Sequence, residues 1–161
     1  MLFNIALISS LAAAVIAAPA PVPQTTNNPT YSWDVTGWSA GCARAGCYYD
    51  FNITAPAHGT NPTVPAFSAY CSGSENGFGL GGDYRACNIF DDLPANRGVV
   101  AKLLPAPTGS GAHIQVSLQW TDLEQASTYY NYTGHANSTY NQFVAPLQSF
   151  KITPTEFFGV A

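Results

Sequence analysis

Charge is scarce in this chain. Only 9% of its 161 residues are Asp, Glu, Lys or Arg, against about a quarter in an ordinary soluble domain. The basic residues number five, Arg44, Arg85, Arg97, Lys102 and Lys151, and they are scattered. A nucleic-acid ligand needs a clustered basic surface that releases counterions, so nucleic-acid partners are not expected. Catalytic signatures are sparse as well. There is no H-E-x-x-H and no C-x-x-C, and G-x-S-x-G occurs once, at Gly37 to Gly41, with no helical stretch after it. That removes the zincins and the thioredoxin-type redox enzymes as motif-based assignments and leaves the nucleophile elbow without the strand-to-helix turn it requires. The apolar run from Ile5 to Ile16 is shorter than the roughly 20 residues a membrane-spanning helix needs.

That run instead has the length of the apolar segment of a secretory leader, with small residues at Ala17 and Ala18 and prolines after them. Residues 1–18 are therefore expected to be a signal peptide. Residues 19–30, "PAPVPQTTNNPT", cannot propagate a helix, because proline lacks the donor N–H and clashes with the preceding turn; a flexible tail is expected. Residues 31–161 are long enough to bury one core and form one domain. The expected location is extracellular, with no membrane attachment once the leader is removed.

Secretion decides what cysteine means. In an oxidising compartment paired cysteines are disulfides, whereas in the cytosol they are more often metal or redox sites. The four cysteines are Cys42, Cys47, Cys71 and Cys87. Four allow three pairings. Cys42–Cys47 and Cys71–Cys87 are favoured, because each closes a short local loop between candidate strands. No histidine stands beside them, so no metal and no cofactor is expected. Solubility must come from Ser, Thr, Asn and Gln, and from sugar on three sequons at Asn52, Asn131 and Asn137.

The dominant period is two. Tyr31, Trp33 and Val35 share one face, as do Tyr49, Phe51 and Ile53, with Asp50, Asn52 and Thr54 opposite. In "AHIQVSLQWTD" Ile114, Val116, Leu118 and Trp120 point inward, while His113, Gln115, Ser117, Gln119 and Thr121 point outward. Strict alternation over such a length marks half-buried strands. Further strands are expected at 65–71, 98–104, 128–132, 140–146 and 149–153. Gly, Pro, Asn and Asp clusters bound them, and the mature chain has no sustained helical period. The fold class is all-β: one antiparallel, disulfide-stapled barrel or sandwich. Only "SAGCARAG" separates the first two strands, so they form a hairpin with Cys42 and Cys47 near its closed end. A disulfide in so short a loop stabilises by about 2–3 kcal/mol. It also holds the register, because a one-residue slip would bury Asp50 and Asn52 and expose Phe51 and Ile53.

The order of Tyr31, Trp33 and Val35, then Tyr48, Tyr49, Phe51, Asn52 and Ile53, then Phe67 and Cys71, then Tyr84 and Cys87 resembles the major-allergen family of Alternaria. That group of small secreted fungal proteins includes plant-immunity elicitors. The resemblance covers about Tyr31 to Leu104. It implies a compact antiparallel β-barrel and a non-catalytic effector or elicitor that binds a host extracellular protein or cell-wall polysaccharide. The chain departs from the family pattern in having no cysteine after Cys87 and no spare amino-terminal cysteine, so a monomer or non-covalent dimer is expected.

Two other functions deserve residues. Tyr129, Tyr130, Tyr132 and Tyr140 stand among polar neighbours, a composition suited to sugar or protein contact, which makes a carbohydrate- or small-ligand-binding module the alternative. Strand alternation turns Tyr130 away from Tyr129, so half of these rings are expected in the core. A secreted glycoside hydrolase needs two carboxylates across a cleft. Asp91 and Asp92 have the surroundings of a turn, and Asp122 and Glu124 follow a strand end, where solvation or capping is their ordinary role. Of the histidines, His113 alternates outward, and His58 and His135 lie in polar segments. No catalytic residue is assigned.

Overall fold

The computed structural model describes residues 24–25, 31–60, 62–77, 79–94, 96–106, 110–124, 128–142 and 147–160. The expected leader lies outside these residues, as does the expected tail except for Gln24 and Thr25. Those two form β1 (Gln24–Thr25). The long strands β2 (Trp33–Ala43), β3 (Gly46–Ala55) and β4 (Phe67–Asn76) follow, then the short β5 (Arg85–Ala86) and β6 (Asn88–Ile89). The chain continues through β7 (Arg97–Leu103), β8 (Ala112–Thr121), β9 (Tyr129–Ser138), β10 (Gln148–Ile152) and β11 (Pro154–Val160). One sheet has the order β1-β11-β9-β8-β7-β5 and the other β10-β2-β3-β4-β6. All pairings are antiparallel.

The all-β expectation holds, and of its two architectures the structure is the sandwich. The barrel expected for residues 31–161 is corrected on one ground: the edge strands of one sheet do not pair with those of the other, so the hydrogen-bond ladder never closes. The chain itself joins the sheets instead. Cys87 alone separates β5 from β6, and Thr153 alone separates β10 from β11. At each corner one residue carries the backbone from one sheet to the other. The second corner passes over Gly134, where a Cβ would stand 2.7 Å from Ile152 Cγ2 and 3.1 Å from Pro154 Cα. Only glycine admits that approach.

The core is built by alternation. Cys47, Tyr49, Phe51, Ile53 and Ala55 of β3 are buried, and so are Ile114, Val116, Leu118 and Trp120 of β8. Trp33, Val35, Phe67, Val99 and Leu103 fill the space between the sheets. Packing of this kind, at roughly 1.5–3 kcal/mol per large apolar side chain, supplies the main driving force. Tyr49 of β3 also donates a buried hydrogen bond of 2.8 Å to the carbonyl of Ala101 on β7, a polar link between the sheets.

Two departures from simple alternation have local causes. Gly37 takes a φ of 65°, and the β2–β3 register shifts between Thr36 and Ser39. This β-bulge changes the parity of the strand, so Trp38 is buried where continued alternation would expose it. The second departure is Ser117, which faces outward as expected yet is buried. Its hydroxyl lies 2.6 Å from Thr133 Oγ1 and 3.4 Å from the Tyr84 hydroxyl, and Thr133 donates to Asn131 Oδ1 at 2.9 Å.

Both expected disulfides form, Cys42–Cys47 and Cys71–Cys87. The first joins directly opposed residues of β2 and β3. The second ties β4 to the corner where the chain changes sheets. Of the expected strand at 140–146, residues 140–142 are not in a strand and 143–146 lie outside the described residues. Asn141 nevertheless extends the sheet without being part of it. Its Oδ1 accepts from Ala40 N at 2.9 Å and its Nδ2 donates to Trp38 O at 2.9 Å, so one side chain imitates a pairing strand.

Candidate functional site

Three loops meet at one end of the sandwich: β3–β4, β6–β7 and β8–β9. Between them lies a cleft of about 680 Å³, within the range of natural ligand pockets. Pro62, Pro65 and Pro94 contribute stiff walls, Trp120 and Thr121 end the strand beneath it, and Asp122 and Glu124 sit on the β8–β9 wall. Two leucines of the lining face solvent, Leu93 at 48% and Leu123 at 68% exposure. Among the described lining residues there is no Lys or Arg, so the cleft is acidic, with polar and apolar walls.

The loops are held firmly. Asn96 and Thr121 bond reciprocally, Asn96 Nδ2 to Thr121 O at 2.7 Å and Thr121 N to Asn96 O at 2.8 Å. Asp122 N donates to Thr128 O at 3.0 Å, which closes the base of β8–β9. His58 and Val64 exchange both backbone bonds across the β3–β4 loop, at 3.0 and 2.8 Å. The β6–β7 loop is organised by Asp91. Its Oδ2 accepts from Ser68 N at 2.7 Å, its Oδ1 accepts from Leu93 N at 3.2 Å, and it forms an ion pair with Arg97, whose side chain is almost fully buried. Asp91 is thus the turn-former its neighbours imply, and it aims Leu93 outward.

The two acids considered for hydrolysis lie on the same wall. Asp122 Oδ1 accepts from Glu124 N at 2.8 Å, a local turn bond, and Glu124 is exposed. They do not face each other across the cleft as a glycosidase pair does. The histidines are dispersed: His58 stacks on Tyr31 with ring centroids 4.6 Å apart, His113 Nε2 lies 3.3 Å from Ser110 O, and His135 is exposed. A ligand-like trio does occur, since Cys42, Cys47 and Glu75 bring their ligating atoms within 4.8 Å of one another. The two sulfurs are bonded to each other, however, and Glu75 Oε1 accepts from Gly79 N at 3.0 Å.

The four tyrosines named from sequence lie as follows. Tyr130 and Tyr132 turn toward the core, stacked on Trp120 at 5.4 and 5.6 Å; Tyr130 also stacks on Phe157 at 6.0 Å, and Tyr132 meets that ring tilted at 4.8 Å. Tyr129 is half-buried against Phe158, and Tyr140 packs against the core. Burial raises the Tyr132 hydroxyl above its ordinary pKa; it does the same at Tyr140, where the negative charge of Glu75 adds to the effect. The exposed tyrosines are Tyr48, Tyr70 and Tyr84. Of the sequons, Asn52 and Asn137 are exposed and Asn131 is buried. Sequence reasoning missed the cleft leucines. The available signal was a leucine following an acid inside a turn, in "DDLP" and in "TDLE". In comparisons with known proteins, no family model, curated protein or solved structure matches the chain.

Proposed function

We propose that this is a secreted, glycosylated, non-catalytic binding protein of the effector or elicitor type, which engages a host extracellular protein through the cleft at the loop end. The observation that carries the proposal is a pair of solvent-facing leucines, Leu93 and Leu123, held on hydrogen-bonded loops around an acidic, proline-walled cleft. Exposed apolar side chains gathered around one concave site mark a protein-interaction surface. Two disulfides are compatible with an oxidising compartment. The resemblance to the Alternaria allergen family supports the same function.

The test is capture from plant apoplastic fluid by the immobilised protein, compared with a Leu93→Ser/Leu123→Ser variant. A partner retained by the wild type and lost by the variant is expected. Equal capture by both proteins overturns the cleft as the binding site. Retention on cell-wall polysaccharide alone, with no protein captured, would favour the carbohydrate-binding alternative. Turnover of a glycoside panel, abolished by Asp122→Asn or Glu124→Gln, would replace the proposal with a hydrolase.

A further inference from the structure

The outer face of the β10-β2-β3-β4-β6 sheet is largely polar, with exposed apolar groups at Tyr48, Tyr70 and Leu147. Along β3 and β4 it presents Asn52, Thr54, Ser72 and Ser74 to solvent. Tyr70 is 40% exposed and lies directly opposite Asn52 in the β3–β4 register. On the other flank, at the bulge in β2, Gly37 has no side chain. A Cβ built there would stand 3.6 Å from Asn52 Nδ2 and 4.0 Å from Leu147 Cδ1. Leu147 is 61% exposed. Asn52 therefore stands on a shelf with a bare glycine floor, an exposed aromatic ring on one side and an exposed aliphatic side chain on the other. Nothing else described in the fold uses either apolar group.

Asn52 and Thr54 are the acceptor and hydroxyl of a sequon, and both are exposed. The other two sequons have different surroundings. Asn131 is only 9% exposed, and its Oδ1 is engaged by Thr133, itself buried. Asn137 is exposed but faces His113 across the ladder, and that ring is engaged at the Ser110 carbonyl. Glycan transfer precedes folding, so the fold decides where a sugar can remain without disrupting packing and where it gains contacts.

We infer that Asn52 carries an N-linked glycan whose first N-acetylglucosamine lies over Gly37 between Tyr70 and Leu147, and that this sugar is a packed part of the domain. In the transfer the Asn52 amide nitrogen attacks C1 of a lipid-pyrophosphate-linked oligosaccharide. The C1–N bond forms, the C1–O bond breaks, the lipid pyrophosphate leaves, and one amide proton passes to base. An aromatic ring and an aliphatic branch then cover the apolar faces of the sugar, as aromatic platforms do for other polar-edged rings. The inference rests on the secretory reading above.

The experiment expresses the full chain in a yeast that attaches N-glycans and trims the secreted product to single N-acetylglucosamines with an endoglycosidase. Peptide mapping gives the occupancy at Asn52. Melting temperatures are then compared for the trimmed protein and Asn52→Gln, each with Tyr70 and Leu147 native or replaced together by Tyr70→Thr/Leu147→Ser. The expected result is an occupied Asn52 whose sugar raises Tm by about 2–4 °C in the native background and by nothing in the replaced one. Tyr70 and Leu147 are exposed, so the replaced protein folds and the comparison stays interpretable. Equal gains in both backgrounds overturn the packing. Secreted protein modified at Asn137 but bare at Asn52 overturns the site while leaving secretion standing. Protein retained in the cell overturns the secretory reading and this inference with it.

Discussion

Replacing Asn141 with alanine tests how the open flank of β2 is completed. Beyond the reach of β10, whose last partner on this strand is Trp38, the Ala40 N–H and the Trp38 carbonyl look outward with one side chain to satisfy them. Asn141 meets both at 2.9 Å, and Gln142 N adds a bond of 2.9 Å to Ala40 O. Ala40 and Trp38 are fully buried, so truncation leaves two backbone groups without water or protein. An orphaned buried group costs about 1–3 kcal/mol, so the two place the variant roughly 2–6 kcal/mol below the wild type. That is a large share of the roughly 5–15 kcal/mol that holds an ordinary domain folded. Urea unfolding followed by tryptophan fluorescence measures it, and Trp38 lies at the site. With a slope of about 2 kcal/mol per molar urea, the midpoint should fall by about 1–3 M. Asn141→Asp sharpens the test. The acceptor for Ala40 N is kept, but the second oxygen faces the Trp38 carbonyl, so the charged form is disfavoured and the folded-state pKa rises above the unfolded one. Its penalty is then smallest below about pH 4, the ordinary aspartate value, and grows as pH rises through the folded pKa. An alanine variant within about 0.5 kcal/mol of wild type, the size of a surface change, or an aspartate variant with no pH dependence, would refute the pairing role.

Burial pushes the Tyr31 and Tyr49 hydroxyls up to about 12 from the usual 10. The unfolded chain therefore loses these protons first, and stability present below pH 10 should be lost as pH rises toward 12; absorbance at 295 nm and thermal melts on one sample check both halves. Removing the Cys71–Cys87 bond by a double Cys→Ala change should cost about 3 kcal/mol and removing Cys42–Cys47 about 2, because the first closes the longer loop; urea midpoints under non-reducing conditions rank them. Asp91→Ala should destabilise by about 1–3 kcal/mol, since it removes the ion pair of Arg97, which keeps the Pro94 carbonyl, and the acceptor of Ser68 N, whereas Leu93→Ser and Leu123→Ser should stay within about 0.5 kcal/mol, so any loss of binding in the leucine variants is not unfolding.

Much of the fold could be seen in the residue pattern, and the exceptions have physical causes. Ile114 to Trp120 alternate without interruption, and the strand they form is buried on the expected side. The cysteine pairs followed from loop lengths alone. The continuation of β9 through Gly134, His135, Asn137 and Ser138 was hidden, because those residue types belong to turns; here cross-strand partners and the tight corner above Gly134 set the conformation. β11 was hidden by its opening proline and by Gly159. The burial of Trp38 was hidden by one glycine, since the bulge at Gly37 reverses inside and outside and alternation cannot anticipate it. The cleft was least visible. Its walls come from residues near 60, 94 and 122, and each segment alone reads as a polar turn. Their apposition exists only once the two sheets are stacked.

The one-residue corners at Cys87 and Thr153 restrict how this molecule can meet others. The strands at the lateral margins are short, two residues each for β1, β5 and β6 and five for β10, and at Cys87 and Thr153 the backbone passes from a margin strand directly into the opposite layer. These margin strands offer a foreign β-strand only short rows of amides and carbonyls, which disfavours strand addition along them. Recognition then falls more to side chains on the faces and to the loop ends.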